Sequence, residues 1–159
     1  MKKKILAFLL YFFFLANVAY ATHYLLGIDS VDDGEIRWGG STDYITSWNQ
    51  AVSTWNALDP IDILPDTIFT WEDLTLHDTY DGTWHSYAGY DIVTGEDLWY
   101  NDAYMPDLDA DEKQSVSTHE LGHALGLGHS VYGNVMYAYS WDTSLGSQDQ
   151  DDYHYLWGY

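Results

Sequence analysis

The sequence predicts an α+β domain, and three observations support this fold class. Three segments have helical features, namely an apolar repeat, a capped acidic start or a capping-box start. Four short runs bounded by Gly, Pro or Asp have the length and composition of strands. With 159 residues and no internal repeat or low-complexity linker, the chain is expected to form one domain.

The first half of the chain predicts strands around one long helix. Residues 35–38 form a strand that Gly39 and Gly40 close, and Pro60 lies just past the helix over residues 43–58. Residues 61–64 and about 73–77 are the next two strands. The apolar stripe that predicts a core-facing backing helix comprises Ile45, Trp48, Val52 and Trp55.

The second half predicts a loop, a strand and two helices. Residues 80–90, rich in Gly, Asp and aromatic residues, are expected to be a loop, and residues 97–101 a strand. A capped, acidic start at residues 109–112 begins a helix that runs to about Leu125. Residues 147–150 have capping-box form and begin a C-terminal helix that ends at 156 or 157.

Residues 119–129 read H-E-x-x-H-x-x-G-x-x-H, a zinc-site signature on this long helix. Residues four apart share a helix face, so His119 and His123 point at a common centre. His129 can join them only if the chain turns after His123, and Gly126 can make that turn in a left-handed conformation. Three neutral imidazoles could hold one zinc and leave a position open for water.

Glu120 follows the first of these histidines and is the candidate general base. Its carboxylate is expected to take the proton of a zinc-bound water without ligating the metal itself. A solvated helix carboxylate is the alternative, and the position of Glu120 between His119 and His123 argues against it.

The start of the chain has the features of a secretory signal peptide. Lys2, Lys3 and Lys4 precede an unbroken apolar run over residues 5–15, and Ala19-Tyr20-Ala21 is an A-x-A cleavage site. We therefore expect a signal peptide at residues 1–21 and a secreted, extracellular domain at residues 22–159. A membrane anchor is the weaker alternative because the run is too short to span a bilayer.

The chain is strongly acidic, with a formal net charge of −20. Beyond the signal peptide only Arg37 and Lys113 are cationic, against 25 acidic residues. Nucleic acid and anionic membranes are thus unexpected partners, and a monomer is the default. The carboxylates could bind calcium, could be an adaptation to high salt or cold, or could simply keep the protein soluble. With no cysteine, packing and bound metal must stabilise the fold.

Several segments together resemble a matrixin-type metzincin, and the similarity suggests a compact bacterial relative. The zinc signature is the metzincin form. A-V-S-T-W-N at residues 51–56 resembles the A-F-x-x-W-S of the family's first helix, and N-V-M-Y at residues 134–137 its Met-turn. Asp149 and the L-W-G at residues 156–158 resemble its closing helix. The resemblance extends from about Glu35 to Gly158.

The resemblance implies a zincin-like metzincin fold with a twisted, mixed five-stranded sheet, a backing helix, an active-site helix and a C-terminal helix. It implies zinc-dependent endopeptidase activity on extended protein or peptide substrates. Carried over by position, His119, His123 and His129 would bind zinc, Glu120 would be general base and proton shuttle, and Met136 would be the Met-turn residue. The strand at 97–101 would lie at the sheet edge, where substrate could pair with it.

This chain departs from the family at two places. The segment that supplies a histidine to the family's structural zinc is residues 95–100 here and contains none, although His77 and His85 lie nearby in sequence. The proline after the Met-turn tyrosine is Ala138 here, which alters the wall of the specificity pocket. Tyr137, Tyr139 and Trp141 could line that pocket or could be core or interface residues.

Two other functions remain open from the sequence. One is a catalytically retired or narrowly selective secreted module that binds zinc or calcium. The other is an acidic calcium-binding surface protein with an incidental zinc motif, which Met136 argues against.

Overall fold

A computed structural model of the protein describes residues 22–158. The proposed signal peptide lies outside the described residues. The described part contains five strands, three α-helices and one 3-10 helix. They are β1 (Glu35–Gly40), α1 (Ile45–Trp55), β2 (Asp62–Pro65), β3 (Leu74–Thr79), β4 (Ala88–Tyr90), β5 (Asp97–Asn101), the 3-10 helix (Met105–Asp107), α2 (Ala110–Ala124) and α3 (Ser147–Trp157).

The five strands form one mixed sheet in the order β2-β1-β3-β5-β4. All neighbours are parallel except β4, which pairs antiparallel with β5. This confirms the α+β class and the mixed five-stranded sheet. Two details of the sequence prediction were wrong. The segment 80–90 is not all loop, since it ends in β4, and the edge strand is β4 rather than the strand at residues 97–101.

A three-residue strand was hard to predict because it carries little periodicity of its own. Ala88, Gly89 and Tyr90 alternate buried, half-buried and buried, which is too short a pattern to distinguish from a loop. Backbone pairing with β5 makes this segment a strand, with Gly89 opposite Trp99. Tertiary pairing therefore decided its state.

The core lies between the sheet and helices α1 and α2. Trp48 and Trp55 of α1 are fully buried, and Trp48 meets Trp38 of β1 edge-to-face with ring centroids 5.6 Å apart. Trp55 also donates from its indole nitrogen to the carbonyl of Thr118 in α2, at 2.9 Å. The stripe predicted for α1 is confirmed at Trp48 and Trp55, which are core, and Val52 packs partly buried against them. It was wrong at Ile45, which is 39% exposed at the start of the helix.

The two later helices begin differently. Asp109 and Glu112 form the predicted capping box of α2, each carboxylate accepting from the other's backbone N–H at 2.9 Å. Helix α3 begins at Ser147 as expected, but its N-cap is Gly146. The predicted capping box over residues 147–150 was therefore wrong by one residue, since the residues in those positions are Gly146 and Asp149. Gly146 has no side chain, so only one bond of that pair exists, a 2.8 Å hydrogen bond from the Gly146 N–H to Asp149.

Within residues 22–158, no helix is both long enough and apolar enough to cross a bilayer.

Candidate metal centre

Helix α2 and the turn that follows it bring three histidines together. His119 and His123 lie one turn apart on α2, with ring centroids 4.7 Å apart. Gly126, at φ +87°, reverses the chain after α2, as the sequence predicted. His129 then comes within 5.1 Å and 4.9 Å of the other two ring centroids. One ligand atom from each histidine lies within 4.8 Å of the others.

Backbone carbonyls set the tautomer of two of these rings. His119 Nδ1 lies 2.8 Å from the carbonyl oxygen of Val135, and His123 Nδ1 lies 2.7 Å from that of Leu127. A carbonyl oxygen only accepts, so each Nδ1 must carry the proton. In the neutral ring the lone pair is then on Nε2, the arrangement usual for a metal-binding histidine.

Burial keeps two of the imidazoles neutral. The pKa of His119 is lowered to about 4, chiefly by burial, with the hydrogen bond to Val135 opposing the shift and the nearby His129 adding to it. Burial also lowers the pKa of His123 to about 3, assisted by His119. Because a metal ion needs an unprotonated imidazole, both rings are ready to bind one at neutral pH.

Glu120 lies beside this group with a perturbed carboxyl. Burial raises the pKa of Glu120 to about 7, and a hydrogen bond from the backbone of Tyr90 in β4 acts in the opposite direction. A carboxyl with a pKa near 7 can both accept and release a proton at neutral pH. A dication held by the neighbouring histidines would favour the carboxylate form.

Met136 lies beneath the histidines in a tight turn, as the resemblance implied. The side chain is 1% exposed, and its sulfur lies 2.3 Å from where a Cβ on Gly122 would be. Glycine at position 122 is therefore what lets the turn approach α2 so closely. The same turn presents the Val135 carbonyl to His119, so it also orients a ring of the candidate centre.

A buried carboxylate holds this turn in place. Asp149 of α3 is fully buried and accepts hydrogen bonds from the N–H groups of Val135 at 2.7 Å, Met136 at 3.1 Å and Gly146 at 2.8 Å. Burial raises its pKa, and these three hydrogen bonds oppose the shift. The start of α3 is thereby tied to the floor of the candidate centre.

A cleft of about 420 Å³ opens beside the histidines and Glu120. Tyr139 and Trp141 line it, as the sequence suggested, whereas Tyr137 packs against Tyr132 and Tyr139 at 5.8 Å. The wall from β4 and the preceding loop was not foreseen. The cleft is lined by Ser86, Tyr87, Ala88, Val116, His119, Glu120, His129, Ala138, Tyr139, Ser140 and Trp141.

The other candidate metal ligands are dispersed. His77 pairs with Asp97 at 2.7 Å, and His85 lies 3.1 Å from the hydroxyl of Tyr104. Among residues 22–158, His119, His123 and His129 are the only three such side chains that could share an ion.

Sequence reasoning named the histidines, Glu120 and Met136, but it missed the groups that orient them. The carbonyls of Val135 and Leu127 are backbone atoms, which no side-chain motif encodes. Asp149 was noted only as part of a helix similar to the family's last. Its spacing of 13 residues from Met136 gives no signal of contact until α3 is folded back.

Comparison with known proteins agrees with this geometry. A family model described as matrixin, the M10 peptidases, matches residues 34–158. No curated protein matches the chain. The matched region runs from the start of the sheet to the end of α3 and includes the candidate centre, its Met-turn and the cleft. The chain therefore belongs to the matrixin family of zinc-dependent metallopeptidases.

Proposed function

We propose that the protein is a secreted, monomeric zinc endopeptidase that cleaves extended protein or peptide substrates. In this proposal His119, His123 and His129 hold the zinc and Glu120 is the general base. The observation that carries it is the convergence of three histidines on a point beside Glu120. Backbone carbonyls hold two of the rings in the tautomer with the proton on Nδ1, which leaves Nε2 for the metal. The signal-peptide features of the sequence at residues 1–21 support secretion.

The chain's own residues supply the proton transfers of peptide hydrolysis. Zinc held at this centre would polarise the scissile carbonyl and acidify a water. The Glu120 carboxylate takes a proton from the attacking water and then gives it to the nitrogen of the leaving amine. The Glu120 side chain is half-buried in the wall of the cleft, and a hydrogen bond from the backbone of Tyr90 helps to hold the carboxylate beside the histidines.

The edge strand β4 is placed to align the substrate. Tyr87 accepts from the N–H of Asn101, and Asp91 donates to the carbonyl of Asp97, so these residues face β5. The intervening Ala88 and Tyr90 therefore direct their backbone groups away from β5, and the Tyr90 N–H reaches Glu120. The Ala88 carbonyl accepts from the Ser86 hydroxyl at 2.8 Å. An extended peptide could therefore pair with this edge through the Ala88 N–H and the Tyr90 carbonyl.

The cleft favours a large, uncharged side chain next to the scissile bond. Aromatic rings from two segments meet at its wall, with Tyr87 and Trp141 edge-to-face and 5.5 Å apart. Apart from Glu120 and the histidines, no ionisable carboxylate or cation lines it in the described part of the chain. A charged side chain there would lose its hydration without gaining a partner.

Cleavage of casein by purified residues 22–159 tests the proposal. We expect degradation that a zinc chelator abolishes and that added zinc restores. A folded protein that binds zinc and cleaves neither casein nor a library of unstructured peptides would contradict it. That result would instead favour the binding-module alternative, either retired or narrowly selective.

Replacement of Glu120 by alanine tests the proton-transfer role. Glu120→Ala should retain one zinc per chain, because the three histidines are intact, and should lower kcat/KM by about 10²-fold or more. Zinc content by mass spectrometry of the metal and peptide turnover are the two measurements. Glu96→Ala, an exposed glutamate outside the cleft, is the matched control. Turnover in Glu120→Ala equal to that of the control would refute the role.

A further inference from the structure

The loop between β2 and β3, residues 66–73, exposes three large apolar side chains. Ile68 and Trp71 are each 91% exposed, and Phe69 is 89% exposed. None of them joins the hydrophobic core. Three such side chains within four residues form an apolar patch, and patches of this kind mark interaction sites more often than single exposed residues do.

The loop is held in this exposed form by its own polar groups. Its first residue, Asp66, donates from its N–H to the carbonyl of Trp38 at 2.7 Å, and Asp73 at its end donates to that of Arg37 at 2.7 Å. Inside the loop, the hydroxyl of Thr70 donates to Asp66 at 2.5 Å and accepts from the N–H of Thr67 at 2.8 Å. The apolar side chains are thus presented on an ordered frame, which lowers the entropy lost on binding.

The loop lies away from the catalytic cleft. It crosses β1, where Glu72 occupies the space in front of Gly39. Trp38, the residue before Gly39 in β1, packs on Trp48 of α1. Because side chains alternate along a strand, position 39 faces the other side of the sheet. The loop therefore covers the sheet face opposite α1. The strands β2 and β1 are also at the far end of the sheet from β4.

Carboxylates lie beside the apolar patch at Trp71. A depression of about 210 Å³ beside Trp71 is lined by Asp32, Asp33, Glu35, Asp73, Thr70 and Arg37. Arg37 is paired with Glu35 through two hydrogen bonds of 2.8 Å and 2.7 Å and also interacts with the charge of Asp73. Four carboxylates thus line the depression against one cation. Burial raises the pKa of Asp73, and the like charges of Asp32 and Glu35 add to the shift.

The charge around the patch indicates what binds there. A second copy of this chain, at net charge −20, would be repelled, and so would an anionic membrane. A lysine or arginine side chain would form ion pairs with the carboxylates and could also lie over the ring of Trp71. An apolar neighbour in the same segment would cover Ile68 and Phe69. We propose that the β2–β3 loop is a docking site for a basic protein segment with apolar side chains, separate from the catalytic cleft.

Binding of short labelled peptides, measured by fluorescence anisotropy, tests this site. The protein carries Glu120→Ala throughout to prevent cleavage, so the result does not depend on peptidase activity. The probes are a peptide that alternates lysine and leucine, one that alternates glutamate and leucine, and one that alternates lysine and serine. We expect the lysine–leucine peptide to bind best, with an affinity that falls as salt is added.

Variants locate the binding. Replacing Phe69 and Trp71 together by serine should weaken the lysine–leucine peptide by about tenfold or more. Asp32→Asn with Asp33→Asn, which preserves side-chain shape, should weaken it less and should reduce its salt dependence. Tyr80→Ser is the matched control, because Tyr80 is 78% exposed and follows the opposite end of β3. Circular dichroism checks that each variant is folded.

Three results would overturn the proposal. In the first, the Phe69/Trp71 variant and the Tyr80 variant bind the lysine–leucine peptide equally well. In the second, none of the three peptides binds. In the third, zwitterionic lipid vesicles bind in a way that needs Phe69 and Trp71, whereas binding of the peptides does not need these residues. The first result would mean that the peptide binds in the cleft or through the overall negative charge of the protein. The third would mean that the loop contacts membranes.

Discussion

At the scale of single residues, the contact between Gly122 and Met136 sets the distance between the active-site helix and the turn beneath it. A Cβ at position 122 would lie 2.3 Å from the sulfur of Met136 and 3.0 Å from a ring carbon of Trp55. Both neighbours are buried, so either would have to repack within the core. The absence of a side chain here therefore shapes the floor of the metal centre.

Gly122→Ala should destabilise the protein in spite of the better helix propensity of alanine. Overpacking costs about 1–3 kcal/mol, and alanine returns roughly 1 kcal/mol, so we expect a net loss of up to about 2 kcal/mol. Urea unfolding measures it. Gly82→Ala is the control, since nothing lies within 4 Å of its Cβ position. Equal stability of the two variants would show that the turn can move away from α2.

At the scale of elements, the start of α3 and the Met-turn form one unit through Asp149. Asp149→Ala would leave buried N–H groups of Val135 and Met136 without an acceptor. We expect a loss of about 3 kcal/mol in the free energy of unfolding. Because Val135 orients His119, zinc affinity should also fall by about tenfold or more.

Urea unfolding and zinc titration, each made on Asp149→Ala and on one control variant, separate the effect on stability from the effect on zinc affinity. Asp151→Ala removes an exposed carboxylate from the same helix and should change neither unfolding nor zinc affinity. A loss of stability with unchanged zinc affinity would mean that Asp149 supports the fold but not the orientation of His119.

The loop that leads into β4 depends on Asp81 in a pH-dependent way. The side chain accepts from the Thr83 hydroxyl at 2.6 Å and from the N–H groups of Thr83 and Trp84 at 2.8 Å and 3.2 Å. The bond from the Thr83 hydroxyl is the largest cause of a lowered pKa. The stabilisation is thus present above the unfolded pKa of about 3.9 and is lost as the pH falls through the lower folded value.

Asp81→Asn should therefore lower the Tm at pH 7, and the difference from wild type should narrow below about pH 4. Thermal unfolding followed at several pH values measures this. Asp107→Asn, which also removes one exposed charge, controls for the change in net charge. A difference that stays constant with pH would show that the ionised carboxylate contributes nothing to the loop.

At the scale of the whole molecule, the acidic surface opposes folding by self-repulsion. Of the two cations in residues 22–158, Arg37 pairs with Glu35, and Lys113 donates to the carbonyl of Leu108 at 2.6 Å. Apart from Asp149 and Asp152, the carboxylates in the described part of the chain are at least partly exposed and have few opposite charges near them. Such a field keeps the protein soluble and costs stability at low salt.

Sodium chloride should accordingly raise the Tm. Screening of exposed charges takes effect between about 0.01 M and 0.1 M, where the Debye length falls from about 30 Å to about 10 Å. We expect a gain of about 1 kcal/mol, or roughly 2–4 °C. The same titration at about pH 4, where the carboxylates are partly neutral, should give a smaller rise. If the Tm rises equally at both pH values, the effect of salt does not come from screening of the repulsion between carboxylates.

Much of this architecture could be predicted from the sequence because its signals are local. The stripe of Trp48 and Trp55, the capping box at Asp109 and the spacing of His119 and His123 all follow from the geometry of one helix. Gly126 could be named because a left-handed turn needs glycine. These features are written in neighbouring residues, so no knowledge of distant contacts was required.

The sequence by itself determined the class of fold, the three histidines with Glu120, and the family, since each depends on residue type at short spacing. Only the tertiary structure decided which strand forms the edge, because pairing with β5 makes Ala88–Tyr90 a strand. It also decided how the histidines are oriented and how the Met-turn is held, through carbonyls of Val135 and Leu127 and the carboxylate of Asp149. Some of these contacts join segments that are distant in sequence, and others use backbone atoms that every residue has. A pattern of side chains along the sequence therefore does not predict them.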